Sequence, residues 1–190
     1  RSSDTIYFSY GGGYSIAKTD YEGAGLYEYS GHSFGTPILG MAVDEEGFLH
    51  LVTPTGGDGD TVIRFDPAGS GSIETGNYQI YAPFDITFQN GSLYVAGEES
   101  DDTPTLYKLD ADYGTSTVPE KMQSNPADPG DTFDGPQQFL PAVGGSIYII
   151  DDGQTLGARI IKIDGIPGLN WVTFKSADIG KDTFNYIIPS

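Results

Sequence analysis

Apolar and polar residues alternate in short runs along the whole chain, and the runs recur in a fixed order. One run appears four times: Thr5-Ile6-Tyr7-Phe8, Phe48-Leu49-His50-Leu51-Val52, Ser92-Leu93-Tyr94-Val95-Ala96 and Ser146-Ile147-Tyr148-Ile149-Ile150. Short apolar runs of this kind, bounded by turn residues, are the mark of strands. The copies begin 43, 44 and 54 residues apart. A polar, Gly- or Asp-rich stretch follows each copy, and then a second strand-like run. Those second runs are Gly25-Leu26-Tyr27-Glu28-Tyr29, Thr61 to Asp66, Thr105 to Asp110 and Arg159 to Asp164.

Shorter apolar runs come before three of the copies. Gly40 to Val43, Phe84 to Phe88 and Phe139 to Val143 each lead into a tight turn, and Asn90-Gly91 is a strong hairpin signal. They predict innermost strands, with Pro141 an irregularity in the last. Outer strands are predicted within Ile73 to Ala82, Thr115 to Met122 and Leu169 to Lys175. The longer third interval predicts an insertion around Ser124 to Gly135. The pattern contains no sustained helical period.

A unit of about 40–50 residues with four strands predicts an all-β β-propeller. The N-terminus enters at a second-strand pattern, while Phe184-Asn185-Tyr186-Ile187-Ile188-Pro189 reads as an unpaired first strand. Together these predict one domain over residues 1–190, a ring of four blades of four antiparallel strands whose termini share one blade. A stretch of a larger ring would show the same phase.

Gly40-Met41-Ala42-Val43-Asp44-Glu45-Glu46-Gly47-Phe48-Leu49-His50-Leu51-Val52, with Val62-Ile63-Arg64-Phe65-Asp66-Pro67-Ala68-Gly69 after it, resembles the repeat unit of NHL/YVTN β-propellers. The third and fourth copies match more loosely, and the first only through its middle strands. The family includes extracellular binding modules, surface and periplasmic lipoproteins, lyases and lactonases. The resemblance therefore implies an architecture and leaves the activity open. Four blades depart from the family's usual six or more.

Charge narrows the partners. Nine Lys and Arg face 27 Asp and Glu, a formal net charge of −18. Such a chain repels nucleic-acid phosphates and anionic headgroups. A cation, a basic protein surface or a neutral carbohydrate remains. Cysteine is absent, which excludes disulfides and thiolate metal sites. No apolar run is long enough to span a membrane. The opening Arg1-Ser2-Ser3 reads as a processed product, and the expectation is an extracytoplasmic monomer: periplasmic, cell-surface or secreted.

The candidate chemistry is acidic. Connections after the repeated runs carry Asp58 with Asp60, Glu98-Glu99 with Asp101-Asp102, and Asp151-Asp152; Asp20 and Glu22 belong to the first. In a propeller these connections share one face around the channel. Several carboxylates on Gly-rich loops suit Ca²⁺, which takes six to eight oxygens. The same acids also fit a chain that is acidic throughout. Asp128, Asp131 and Asp134 form a further cluster in the insertion, read as a solvated loop.

Asp44 and Asp85 stand beside innermost strands and are candidate ligand-binding residues. Trp171 is a candidate sugar-stacking residue, with blade packing as the alternative. His50 occupies a position that is Tyr in the other copies, which reads as structural. His32 lies in a turn with no triad partner evident. Gly11-Gly12-Gly13 is a loop tip and not a phosphate loop, since no helix or Lys-Ser/Thr follows. These residues favour a binding module using the acidic face. The alternatives are a metal-assisted propeller hydrolase or lyase and a structural repeat domain.

Overall fold

The computed structural model describes residues 5–12, 15–20, 22–29, 36–54, 62–68, 73–76, 78, 80–109, 119–125, 128–140, 145–152, 155, 157–164 and 170–175. Among them every regular element is a strand, and every strand pairing is antiparallel.

Sheet 1 contains β1 (Thr5–Tyr10), β2 (Ser15–Asp20) and β3 (Tyr27–Glu28). Sheet 2 contains β4 (Gly40–Val43), β5 (Leu49–Val52), β6 (Val62–Phe65) and β7 (Ile73–Gly76). Sheet 3 contains β8 (Ala82–Gln89), β9 (Ser92–Glu98), β10 (Pro104–Leu109) and β11 (Glu120–Met122). A two-stranded ribbon follows, β12 (Ser124–Asn125) with β13 (Asp128–Thr132). Sheet 4 contains β14 (Pro136–Leu140), β15 (Ser146–Asp151), β16 (Arg159–Asp164) and β17 (Asn170–Lys175). Within each sheet, neighbours in sequence are neighbours in space.

Period-two alternation decides which sheet each side chain packs against. Leu49, Leu51, Ile63 and Phe65 share a core with Ile16 and Tyr29 of sheet 1. Val52 and Val62 turn the other way and meet Ile86, Leu93, Val95, Tyr107 and Leu109 of sheet 3. On the far side of sheet 3, Tyr94, Ala96 and Leu106 meet Ile147, Ile149, Ile161 and Ile163 of sheet 4. Each sheet thus shares a core with the next one along the chain. The innermost strands adjoin: β8 lies against β4 on one side and β14 on the other. At one of these approaches a glycine is required. A Cβ on Gly40 would lie 2.9 Å from the Asp85 Cα and would collide with the Asp85 carboxylate.

Several expectations shift. The repeated run of the first copy pairs with Ser15–Asp20 and not with residues 25–29, which form the third strand instead. The cause is the turn after Tyr10, where Gly11 and Gly12 both adopt positive φ and reverse the chain at once. The innermost strand of sheet 4 begins at Pro136, before the expected Phe139, and carries a bulge between Pro136 and Gln138. The insertion around Ser124 to Gly135 holds the ribbon β12–β13. Residues 184–189, expected to close the ring, lie outside the described residues.

Candidate functional site

Antiparallel register puts the β9–β10 and β15–β16 connections at one end of their sheets, beside the starts of β8 and β14. This is the acidic end. Residues 99–103 form a tight reversal: the Glu99 N–H donates to the Thr103 carbonyl at 2.9 Å, and the Asp102 N–H to the Glu99 carbonyl at 3.0 Å. Asp102 takes φ 63°, a left-handed value that Asp tolerates better than most residues. The Asp101 carboxylate accepts the Thr103 N–H, and hydrogen bonding at Thr103 holds its pKa below the usual range. Glu99 is engaged by Lys121 at 2.9 Å and Gln123 at 2.7 Å. Burial pushes the Glu98 carboxyl up, and the charge of Asp102 adds to the rise. Asp101 and Asp102 themselves face solvent.

The neighbouring pair Asp151-Asp152 splits in two. Asp152 is exposed, and its N–H donates to the Gly135 carbonyl. Asp151 is fully buried. Its carboxylate accepts the N–H groups of Asp134 and Gly135 and the Nε–H of Arg159 at 2.7 Å. Arg159, cross-strand from Asp151, is buried too and reaches Asp131 at 2.9 Å and the Thr132 carbonyl. Asp131 also accepts the Thr173 hydroxyl, which in turn accepts the Trp171 Nε1–H at 2.8 Å. These contacts form a clasp that pins the ribbon to sheet 4. It leaves Asp151 no free oxygen for a metal, and it makes Asp131 of the insertion a structural anchor, while Asp128 stays exposed.

Trp171 belongs to that clasp. It is 8% exposed, and its ring lies 4.6 Å from that of Phe133. It pairs with Ile163 on the face turned toward sheet 3, so no ring face is open to a sugar. The sequence pattern alone did not reveal this, because the partner Phe133 sits in the insertion.

Asp44 and Asp85 do not act together. Asp44 follows the last residue of β4, at the end of sheet 2 away from Gly40. Its Oδ1 accepts the N–H groups of Glu46 and Phe48, which closes the turn, and its Oδ2 lies 2.8 Å from the Nε2 of His50. His50 is completely buried and stacked over Phe88. Burial lowers its pKa against the pull of Asp44. The ring is therefore neutral at pH 7 and donates its Nε2–H to Asp44. A histidine without solvent access cannot serve as a general base for an external substrate.

Asp85 sits where β4, β8 and β14 converge, one residue beyond the bulge in β8. Its Oδ1 accepts the Ile86 N–H at 2.9 Å, and its Oδ2 accepts the Phe139 N–H at 2.8 Å. The second bond crosses from sheet 3 to sheet 4 and satisfies a donor on the edge strand β14. Burial pushes the carboxyl up to about 6, with the two N–H bonds acting against the rise.

Asp20 and Glu22 belong to the β2–β3 connection, which is the second-to-third connection of sheet 1 as β9–β10 and β15–β16 are of sheets 3 and 4. Because β2 returns directly after the glycine turn, Asp20 ends that strand, and its carboxylate accepts the N–H groups of Glu22 and Ala24. Asp58 and Asp60 lie outside the described residues, as does His32. Among the described residues no three His, Cys, Asp or Glu side chains gather as metal ligands would. No described helix is long and apolar enough to cross a membrane.

No family model and no curated relative matches the chain. Among solved structures, a luciferin-regenerating enzyme is similar over 85% of this chain, with 16% identity and a TM-score of 0.52. The chain spans 56% of that enzyme's length. A Bacteroides caccae protein of unknown function aligns over 96% of this chain and 82% of its own, with 13% identity and a TM-score of 0.46. At such identities the first likeness speaks for the fold alone.

Proposed function

We propose that the four sheets are successive blades of an NHL/YVTN-type β-propeller, and that the chain is an exported binding module whose acidic end engages a basic protein surface. The observation that carries the reading is the division of labour among the acids at that end. Asp101, Asp102 and Asp152 face solvent, and Glu98 already feels the charge of Asp102. The nearby cations Lys121 and Arg159 are committed to Glu99, Asp131 and Asp151. The exposed end therefore keeps an uncompensated negative field, which attracts a cationic partner and accelerates its approach. A catalytic reading has less support. In the described innermost strands Asp85 is the one acid, and both of its oxygens accept backbone N–H groups.

Ring size is part of the proposal. On the outward faces of the first and last sheets, Ile6 is 43% and Val172 41% exposed. Val43 of sheet 2 is as exposed at 47%, so the ring is read as four blades, with a stretch of a larger ring as the alternative.

The test is thermal unfolding of the intact chain with a Lys-rich peptide, with Ca²⁺ and with Mg²⁺ at matched ionic strength, since a ligand of the folded state raises Tm. The peptide is expected to raise Tm at low salt and to lose its effect as salt rises. Asp101→Asn with Asp102→Asn is expected to weaken the rise and to change basal stability by under about 0.5 kcal/mol. No rise with the peptide would overturn the reading. A rise specific to Ca²⁺ would replace it with a metal site.

A further inference from the structure

The turn between β8 and β9 carries a reactive pair. Of the five asparagines in the chain, Asn90 alone precedes a glycine; the others precede Tyr78, Pro126, Trp171 and Tyr186. Gln89 and Ser92 face each other across the hairpin, so Asn90 and Gly91 make up the whole turn. They take φ 51° and 76°, the left-handed values that a two-residue hairpin turn requires and that Asn and Gly supply most readily. Both are exposed to solvent. Gly91 has no Cβ to shield its own backbone nitrogen from the side chain before it. The pair that folds the hairpin is therefore also open to chemistry between its two members.

The same side chain spans a seam. Asn90 Nδ2 donates to the Gly145 carbonyl at 3.3 Å, which joins the tip of the sheet 3 hairpin to the residue just before β15 in sheet 4. The amide lies flat against that glycine: a Cβ on Gly145 would stand 3.6 Å from both the Asn90 Nδ2 and its Oδ1. This bond follows β8, so it ties sheets 3 and 4 at the end opposite the acidic connections. It is long and exposed to water, and opening it costs little.

We propose that Asn90 is a site of spontaneous deamidation, and that the reaction releases this end of the seam. The Gly91 backbone nitrogen attacks the Asn90 Cγ, and the bond from Cγ to Nδ2 breaks. The Gly91 proton, carried by solvent, leaves with Nδ2 as ammonia. Water then opens the resulting succinimide at one of its two carbonyls, which gives aspartate or isoaspartate. The net change is amide and water to carboxylate and ammonium, with water as the one co-reactant. Either product replaces an N–H donor by a carboxylate oxygen set against the Gly145 carbonyl, acceptor against acceptor. Isoaspartate does more. It routes the chain through the former side chain and lengthens the backbone by one methylene, and a two-residue turn held between Gln89 and Ser92 has no slack for it. The new negative charge also adds to a net charge of −18. This site is independent of the acidic end and stands whether or not that end binds a protein.

The experiment is ageing of the intact chain at physiological temperature for weeks, in neutral and in mildly alkaline buffer, followed by peptide masses and thermal unfolding. A gain of about 1 Da, which isomerisation of an aspartate does not give, is expected on the peptide holding Asn90 before any other asparagine peptide. It should come faster in the alkaline buffer, where the attacking nitrogen is more often deprotonated. Chromatography should split that peptide into aspartate and isoaspartate forms. Asn90→Gly accepts the positive φ and lacks the amide, so its turn peptide should keep its mass. Fresh Asn90→Asp isolates the lost donor and should lower Tm by about 1–3 °C, the worth of one exposed hydrogen bond in a chain of this size. Aged wild type should fall below that variant, because isoaspartate adds the backbone misfit. No mass gain at Asn90, an earlier gain at Asn77, Asn125, Asn170 or Asn185, Asn90→Asp with the wild-type Tm, or an aged wild type as stable as the fresh chain would each overturn the proposal.

Discussion

Asp151 and Asp85 both leave water when the chain folds, and their surroundings meet that loss in different ways. Around Asp151 a buried guanidinium stands at 2.6–2.7 Å, with two backbone N–H groups beside it. Around Asp85 there are two backbone N–H groups and no cation among its partners, and its pKa climbs to about 6. The first region is an ion pair that holds a ribbon against a sheet. The second is a stitch between two sheet edges that retains a proton equilibrium near neutrality. A carboxylate on a strand next to a loop can therefore be held by a buried cation or left to backbone donors alone.

Breaking the clasp gives the largest expected effect. Asp151→Ala leaves Arg159 buried with a single carboxylate and orphans the N–H groups of Asp134 and Gly135. A loss of about 3–5 kcal/mol is expected, the usual cost of stranding one member of a buried pair. Denaturant unfolding measures it, and a loss under about 1 kcal/mol would show that the clasp is not closed in solution. Arg159→Met with Asp151→Leu should recover part of the loss, because it removes both charges together.

Crowding the stitch comes next. Gly40→Ala drives a methyl group into the Asp85 backbone at a seam with no room to yield. An effect of about 3 kcal/mol is expected from overpacking of this kind, read as a lowered denaturant midpoint. Val43→Ala, on the same strand but 47% exposed, should change stability far less.

The smallest effect sharpens the contrast by pH. Asp85 has its folded pKa raised from 3.8 to about 6, so the native state binds more protons than the unfolded chain between those values. Its contribution is then greatest below about pH 4 and is lost as pH rises through 6. The size is on the order of 2 kcal/mol after allowing for partial contact with solvent. The measurement is the difference in stability between wild type and Asp85→Asn across pH 4–7. It should shift in favour of the variant as pH rises, although the variant is destabilised throughout by a mismatched N–H pair. A difference independent of pH would show that Asp85 is ionised across the range.

The strands were largely legible because repeated short apolar runs and glycine turns are local signals. Leu49, Leu93 and Ile147 announce buried faces without help from distant residues. The strand Ser15–Asp20 was missed because Ile16 and Ala17 are its only apolar positions, and the glycines before it read as a loose tip. The site was less legible for a different reason. Asp151 next to Asp152 looks like a loop acid, and what buries it is register with Arg159 together with Asp131 from an inserted ribbon. Trp171 and Phe133, 38 positions apart, meet for the same reason. Asp85 did stand out beside its strand, but its partner is the Phe139 backbone, which no side-chain pattern announces.

Among the described residues each sheet pairs its strands internally and shares a core with its neighbours along the chain. In evolutionary terms such a protein can change length by duplicating or losing one unit, since a new member needs to fit only two neighbours. The seam between sheets 3 and 4 resists that exchange. The Asp85–Phe139 stitch crosses it, and the Arg159 clasp ties the inserted ribbon to its sheet 4 side, so a lineage that gained or lost units would more readily do so elsewhere.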